Sequence, residues 1–333
     1  MNLSLIICTY MRPKPLIRLL ESILIQGVYP NEILIIDGSS DDKTQKIIQK
    51  KEYKNLKYFK VSKNDRGLTK QRNYGIKKCS KNTDIVSFLD DDTVLYPNYF
   101  QELKNVFFQN KSIIGVGGVA VNENRWKLKK SSQKYNSLFF YCFDDYVIKE
   151  GLRNIVRNIF GLQSNLPSNC MPSFSHGRTY SYPLNNKVYE VDLLVGMSFS
   201  FRKIVFNHIK FSRFFEGYGL YEDADFSIRA QNFGKNVIAT SCKLNHYHDP
   251  SGRPNQFKYG KMVTINGWYV WRLKYPNPSF KSKLKWHFNV LILSCIRLTN
   301  VLKRNKGKQA ITEFLGRIFG WLTLFFKKPK VML

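Results

Sequence analysis

Ile85-Val86-Ser87-Phe88-Leu89-Asp90-Asp91-Asp92 is the stretch on which the fold turns. A short, almost wholly apolar run reads as a strand buried on both faces, and here three adjacent carboxylates end it. Similar runs lie upstream, at Leu3 to Thr9, Glu32 to Asp37 and Leu56 to Val61. Helical segments separate them. Pro15 to Gln26 sets Leu16, Leu19, Leu20, Ile23 and Leu24 at helical spacing and is stopped by Gly27. Asp41 or Asp42 caps a helix reaching toward Lys51, Gly67 to Lys78 forms another, and Pro97 opens one that runs through Phe107. Strands alternating with helices predict an α/β, doubly wound, mostly parallel sheet. In such sheets ligands sit beyond the carboxyl ends of the strands. Asp37 ends one strand and Asp90 to Asp92 end another, so acids gather on one predicted edge.

Downstream the pattern loosens. Residues 120–185 are rich in Asn, Ser, Lys and aromatics and read as loops and short helices over the site. Glu190 to Phe201 reads as a strand or two, Tyr221 to Phe233 as a helix stopped by Gly234, and Asn236 to Ser241 as a last strand. A turn-rich loop from His246 to Asn255 follows. Pro276 and Pro278 set a boundary near 275. The expected organisation is therefore one α/β domain over 1–275, in two parts at 1–120 and 121–275, then a basic helical tail over 276–333.

The chain has 333 residues, 43% of them apolar, which suffices for a real core and excludes global disorder. Fifty-three lysines and arginines against 24 acids give a net charge of +29. A surplus of that size faces a polyanion or an anionic surface: nucleic acid, acidic lipid or phosphorylated substrates. The six cysteines are scattered with no C-x-x-C pair, which fits reduced thiols in a cytoplasmic protein rather than a disulfide framework or zinc site. The apolar run at Leu3 to Cys8 is too short for a signal peptide, and the fold is expected to start at residue 3.

Three adjacent aspartates repel one another, so something cationic should offset them. Oxygen ligands of this kind suit Mg²⁺ or Mn²⁺, which bind one or two carboxylates together with substrate phosphates. His246 and His248 are two of only five histidines and follow the last predicted strand. A neutral imidazole there would complete a Mn²⁺ site begun by Asp92. A second acidic cluster, Glu222-Asp223-Ala224-Asp225, opens a helix. Asp225 and Arg229 are spaced as an i,i+4 pair. On a helical projection Asp223 shares a face with Phe226, Ala230 and Phe233, so it points inward at the helix end. A carboxylate there can act as general base on an attacking hydroxyl; Asp223 is the first choice and Glu222 the second.

Taken together, four stretches resemble glycosyltransferase family 2 with the GT-A fold: Ile6 to Arg12, Ile35 to Asp42, Phe88 to Asp92 and Gly219 to Arg229. Gly67-Leu68 with Gln71-Arg72-Asn73, and Val195 to Arg202, fit the segments between them, so the resemblance spans residues 3 to about 250. It extends to bacterial enzymes of cell-surface polysaccharide synthesis. The resemblance implies that Thr9, Tyr10, Arg12 and Asp37 hold the base and ribose of a nucleotide, with Arg72 near the base and Asp91 on the same cofactor side. It implies that Asp90 binds ribose or supports the metal, that Asp92 ligates the metal, that His246 is a further ligand with His248 as its alternative, and that Asp223 is the base. Met11-Arg12-Pro13 departs from the family's usual polar residues, which bears on base selectivity. The implied reaction is inverting transfer of a sugar from a nucleotide-sugar donor, UDP-linked by expectation, to a hydroxyl of a glycan or lipid-linked glycan.

The tail bears on the charge. Leu284, Phe288, Leu291, Cys295, Leu298 and Leu302 share one helical stripe; Lys283, His287, Ser294, Arg297 and Arg304 share another. A second segment sets Ile311, Phe314, Leu315, Ile318, Phe319, Leu322 and Phe326 on an apolar side and ends in Lys327-Lys328-Pro329-Lys330. Neither is a clean run of the ~20 apolar residues a membrane crossing needs. Basic amphipathic helices suit an anionic interface, so the expectation is a cytoplasmic protein held peripherally at the inner membrane face, as a monomer or homo-oligomer. A nucleic-acid-binding protein would explain the charge and not the aspartates, and no nucleic-acid partner is expected. A nucleotidyltransferase of similar fold would release pyrophosphate instead of a nucleoside diphosphate.

Overall fold

The computed structural model describes residues 1–249, 254–302 and 307–331. Most of the expected turn after His246, at 250–253, and Arg304 of the tail lie outside the described residues. In chain order the regular elements are β1 (Leu3–Thr9), α1 (Pro13–Leu24), β2 (Glu32–Asp37), α2 (Lys43–Ile48), β3 (Leu56–Lys60), α3 (Leu68–Lys78), β4 (Ile85–Asp90), β5 (Thr93–Leu95), α4 (Tyr99–Gln109) and β6 (Ile113–Ala120). They continue with β7 (Lys127–Leu128), β8 (Phe140–Phe143), β9 (Tyr146–Lys149), α5 (Leu152–Ile159), β10 (Val188–Val191), β11 (Ser198–Arg202), α6 (Glu222–Ala230), β12 (Lys235–His246), α7 (Gln256–Lys274), α8 (Phe280–Leu298) and α9 (Gly307–Phe326). Two compact units result: residues 1–124 with 184–253, and residues 125–183 with 254–333. The sequence reading divided the chain at 275 instead.

The first unit is built on one sheet of order β10-β12-β6-β11-β4-β1-β2-β3, with β5 paired to β12. β1 is parallel to β2 and β4, β2 to β3, and β6 to β12, while β11, β10 and β5 run against their neighbours. The mixed α/β sheet is the architecture expected, although only four of its eight pairings are parallel. Because side chains alternate across a strand, Leu3, Leu5 and Ile7 of β1 join the cluster of α1 and α4, while Ile6 faces α3. Gly75 makes that second contact close: a Cβ there would stand 2.7 Å from the Ile6 side chain. On the other face Leu16, Leu19, Leu20 and Ile23 of α1 are fully buried, each contributing about 1.5–3 kcal/mol by leaving water. Leu20→Ala would open a cavity and cost about 2–5 kcal/mol.

Register then does the positioning. Cys8 pairs with Asp90 across β1 and β4, and Thr9 pairs with Asp37 across β1 and β2, so these strands end level at one edge. The antiparallel β5, a three-residue element the sequence reading did not find, pairs Thr93 with His246 and draws the end of β12 beside the aspartates.

Two local expectations need correction. Asp42 sits at the α2 N-cap position without capping through its side chain, which pairs with Lys60 from β3 instead, while Asp41 accepts from the Lys43 amide. The helix is shorter than expected, ending at Ile48. Residues 120–185, read as loops and short helices, contain an antiparallel sheet of order β7-β9-β8 as well as α5. Strands of two to four residues are too brief to show an alternation.

In the second unit that sheet and α5 belong with α7, α8 and α9. Trp271 of α7 stacks on Trp286 of α8 with ring centroids 5.1 Å apart, both buried. Among the described residues, no helix is long and apolar enough to cross a membrane.

Candidate active site

Nearly every candidate side chain lies at the level strand ends or on α3 and α6, all within the first unit. The three aspartates after β4 diverge into separate environments. Asp91 turns toward β1, where it accepts a 2.6 Å hydrogen bond from Thr9 Oγ1 and one at 3.2 Å from Arg12. Burial pushes its carboxyl up to about 7, against the opposing charge of Arg12. Asp92 turns toward β12. Its Oδ1 lies 3.3 Å from His246 Nε2 and its Oδ2 accepts from the Asp249 amide at 2.8 Å. Burial alone would raise Asp92; the His246 hydrogen bond, the Asp249 amide and the charges of His246 and Arg12 bring it down to about 2. Asp90 faces Arg72, 3.5 Å away. Burial raises its carboxyl, with Arg72 opposing.

His246 has a carboxylate at each ring nitrogen: Asp92 on Nε2 and, at 3.2 Å, Glu123 on Nδ1. Burial would lower its pKa, yet the two carboxylates push it up to about 10. His248, with a left-handed φ of 50°, meets Glu123 at 2.8 Å and leaves the aspartates to His246. Glu123 ends a 3₁₀ turn at Val121–Glu123, and Asn122 beside it exchanges hydrogen bonds with the His246 backbone. Donor atoms of Asp90, Asp92 and His246 all lie within 4.8 Å of one another, as do those of Glu123, His246 and His248. Two carboxylates with one imidazole form a hard-to-borderline set that fits Mn²⁺ well and Mg²⁺ acceptably.

The base candidate is built by α3, α6 and the turn before β11. Tyr221 at a left-handed φ of 70° starts α6, and the first turn carries Glu222, Asp223 and Asp225, where the helix dipole favours negative charge. Asp225 is fully buried and paired with Arg229, the structural i,i+4 pair expected of it. Glu222 is buried against Arg72 and ion-paired with it; burial pushes Glu222 up to about 8, with Arg72 opposing. The Arg72 guanidinium is 2% exposed, lies 4.7 Å from the Phe199 ring centre and also over Phe88 and Phe211, and donates to the Gly196 carbonyl at 3.1 Å. Asp223 is half-buried, accepts the Gly196 amide at 2.9 Å and the Ala224 amide at 2.8 Å, and is raised by burial. Gly196 keeps this approach close. A Cβ there would stand 3.3 Å from the Asp223 carboxylate and 3.4 Å from Arg72.

The nucleotide-side candidates are placed as follows. Asp37 is fully buried, accepting the Ser39 amide and the Tyr58 hydroxyl at 2.7 Å each. Tyr10 is 44% exposed at the end of β1, beside Met11 at a left-handed φ of 58°. Arg12 lies among Asp91, Asp92 and Asp249. Arg72, expected near the base, stands between Asp90 and Glu222. Sequence reasoning missed Glu123, Tyr58 and Asp249. The first is a single acid in irregular chain; the other two are named by pairings between distant segments.

Residues 4–166 match the family model described as Glycosyl transferase family 2. A 123-residue stretch is 35% identical to the poly(ribitol-phosphate) beta-N-acetylglucosaminyltransferase TarP of Staphylococcus aureus, covering 35% of this chain and 37% of that protein. The chain thus spans little more than a third of that relative. Among solved structures, GalNAc-T7 with UDP, GalNAc and Mn²⁺ superposes with a TM-score of 0.54 at 15% identity, over 84% of this chain and 52% of the other. The mannosyltransferase PcManGT of Pyrobaculum calidifontis, in complex with GDP-Man and Mn²⁺, gives 0.54 at 11% identity, over 96% and 86%. At such identities these likenesses establish the fold, a GT-A-like α/β sheet flanked by helices.

Proposed function

Residues 4–166 being a family 2 glycosyl transferase domain, we propose that this glycosyltransferase moves a sugar from a UDP-linked donor to a hydroxyl of a glycan or lipid-linked glycan, inverting the anomeric carbon. One observation carries the reading. Asp90 belongs to two neighbourhoods at once, to Asp92 and His246 on one side and, through Arg72 and Gly196, to Glu222 and Asp223 on the other. Acids of the β4 end and of α6 and the imidazole that ends β12, all far apart in sequence, meet at one sheet edge.

Asp90, Asp92 and His246 would hold Mn²⁺ or Mg²⁺, which when bound supplies positive charge to a departing diphosphate. His246 must give up a proton to serve, since only neutral imidazole ligates. Thr9, Tyr10, Arg12, Asp37 and Asp91 bind the nucleotide side. Asp223 takes the acceptor proton as the hydroxyl oxygen bonds to the anomeric carbon and the carbon–phosphate-oxygen bond breaks, releasing a nucleoside diphosphate. A carboxyl raised by burial is a better base than a solvated one. Arg72 is a positioning residue that fixes Glu222 and the Gly196 carbonyl. TarP, an N-acetylglucosaminyltransferase of poly(ribitol-phosphate), supports a polymer acceptor; the UDP of the GalNAc-T7 structure supports a UDP-linked donor, and the Mn²⁺ in both superposed structures supports that metal.

A panel of nucleotide sugars with Mn²⁺, scored by product analysis, tests the reading. Release of nucleoside diphosphate with an inverted glycosidic product is expected; release of pyrophosphate would replace glycosyl transfer with nucleotidyl transfer.

A further inference from the structure

We infer that the second unit docks on an anionic lipid bilayer through the outward faces of α8 and α9. α9 turns its small residues to the protein: Ala310, Gly316 and Gly320 are buried, with Leu324 beside them. A Cβ at Gly316 would strike the Phe257 carbonyl of α7, and one at Gly260 of α7 would strike the Glu313 carbonyl. That backbone-to-backbone approach consumes the small face of α9 and leaves its bulky face outward. Leu315 is 51% exposed, Phe319 49%, Leu322 46% and Phe326 90%. At 3.6 residues per turn these positions form one stripe. α8 repeats the arrangement, with Leu284 55% and Phe288 43% exposed on one stripe.

The apolar surface continues between elements. Phe288 meets Phe160, which follows α5 and is 52% exposed. His287 of α8 stacks on Phe325 of α9, and Phe319 meets Phe257 of α7. Single exposed apolar residues are ordinary; a connected series of this kind on a soluble surface marks an interface.

Charge selects the occupant. Residues 276–333 hold twelve lysines and arginines and one acid, Glu313. That acid is 3% exposed, clamped at 2.6 Å by both Arg297 and Arg317. Its charge is hidden, whereas Lys281, Lys283, Lys308, Lys327 and Lys328 are exposed around the stripes. Two copies of this face would set cation against cation. Acidic headgroups would neutralise the rim while the stripes enter the boundary between headgroups and acyl chains. No described helix could cross the bilayer, so the contact lies in its plane. This inference does not depend on the assignment of sugar transfer.

Co-sedimentation of the full chain with phosphatidylcholine vesicles, with and without phosphatidylglycerol, tests it. Binding is expected on the phosphatidylglycerol vesicles and weakened by salt. The double variant Leu315→Asp/Phe319→Asp should lower partition about tenfold or more. Lys327→Glu/Lys328→Glu should lower it on anionic vesicles without altering the fold, as both lysines are solvent-facing; thermal melting checks both variants, since the Phe319 ring also meets Phe257. Absence of binding by the wild type, or wild-type binding by both variants, would overturn the inference. So would a stable dimer in sedimentation velocity that Leu315→Asp/Phe319→Asp dissolves, since the face would then belong to a second copy.

Discussion

His246 can be a metal ligand only in one tautomer and one ring orientation, and Glu123 is the group placed to impose both. By accepting from Nδ1 it would leave the Nε2 lone pair directed at Asp92. Glu123→Ala should therefore weaken Mn²⁺ binding by about 10–100-fold, measured by titration calorimetry without donor; unchanged affinity would reduce Glu123 to a surface acid. The aspartates themselves were legible because a run of like charges after a buried strand has no comfortable structural use. Glu123 was not. A single acid in a three-residue turn acquires meaning only when the chain returns 123 positions later as His246. Asp225 shows the converse: its spacing to Arg229 announced an ion pair, and the pair is there.

At the scale of elements, α3 and α6 are joined by Arg72 and Glu222. Removing one partner strands a buried charge, so Arg72→Met should destabilise the protein by about 3–5 kcal/mol in denaturant unfolding. A loss below about 1 kcal/mol would mean the pair is solvated and immaterial. Gly196→Ala is a finer probe, because the added methyl presses on Asp223 and Arg72. Transfer should fall about 10–100-fold, donor affinity staying near wild type. Equal losses in both would instead point to general disruption of the edge. Long apolar runs made β1, β2 and β4 readable before any coordinates. The failed cap at Asp42 was unreadable from local rules, since Lys60 reaches it from β3, placed there by a register that pairs Lys60 with Asp37. β7, β8 and β9 failed for want of length. The outward stripe of α9 was legible as a pattern, but which face packs was decided by glycines meeting backbone on α7.

Over the whole molecule the large positive charge and the two units give different handles. In the second unit, burial lowers His176 to about 4 from its usual 6.5, and its Nε2 lies 2.9 Å from the Gly267 carbonyl. The unfolded chain takes up a proton first, so stability from His176 is complete above the unfolded pKa and is lost as pH falls through about 4. The expected contribution is roughly 3 kcal/mol at most, and His176→Gln should flatten stability between those limits in pH-dependent unfolding; an unchanged slope would clear His176. The central proposal is that, in the first unit, an acid just after β4 and an acid of α6 serve one reaction in separate roles. The most direct test compares Mn²⁺-dependent donor binding and single-turnover transfer in wild type, Asp92→Asn and Asp223→Asn. Loss of metal-dependent binding in the first variant, and retained binding with transfer abolished in the second, is the predicted result. Wild-type transfer by Asp223→Asn, or donor binding in Asp92→Asn as metal-dependent as in the parent, would contradict the account.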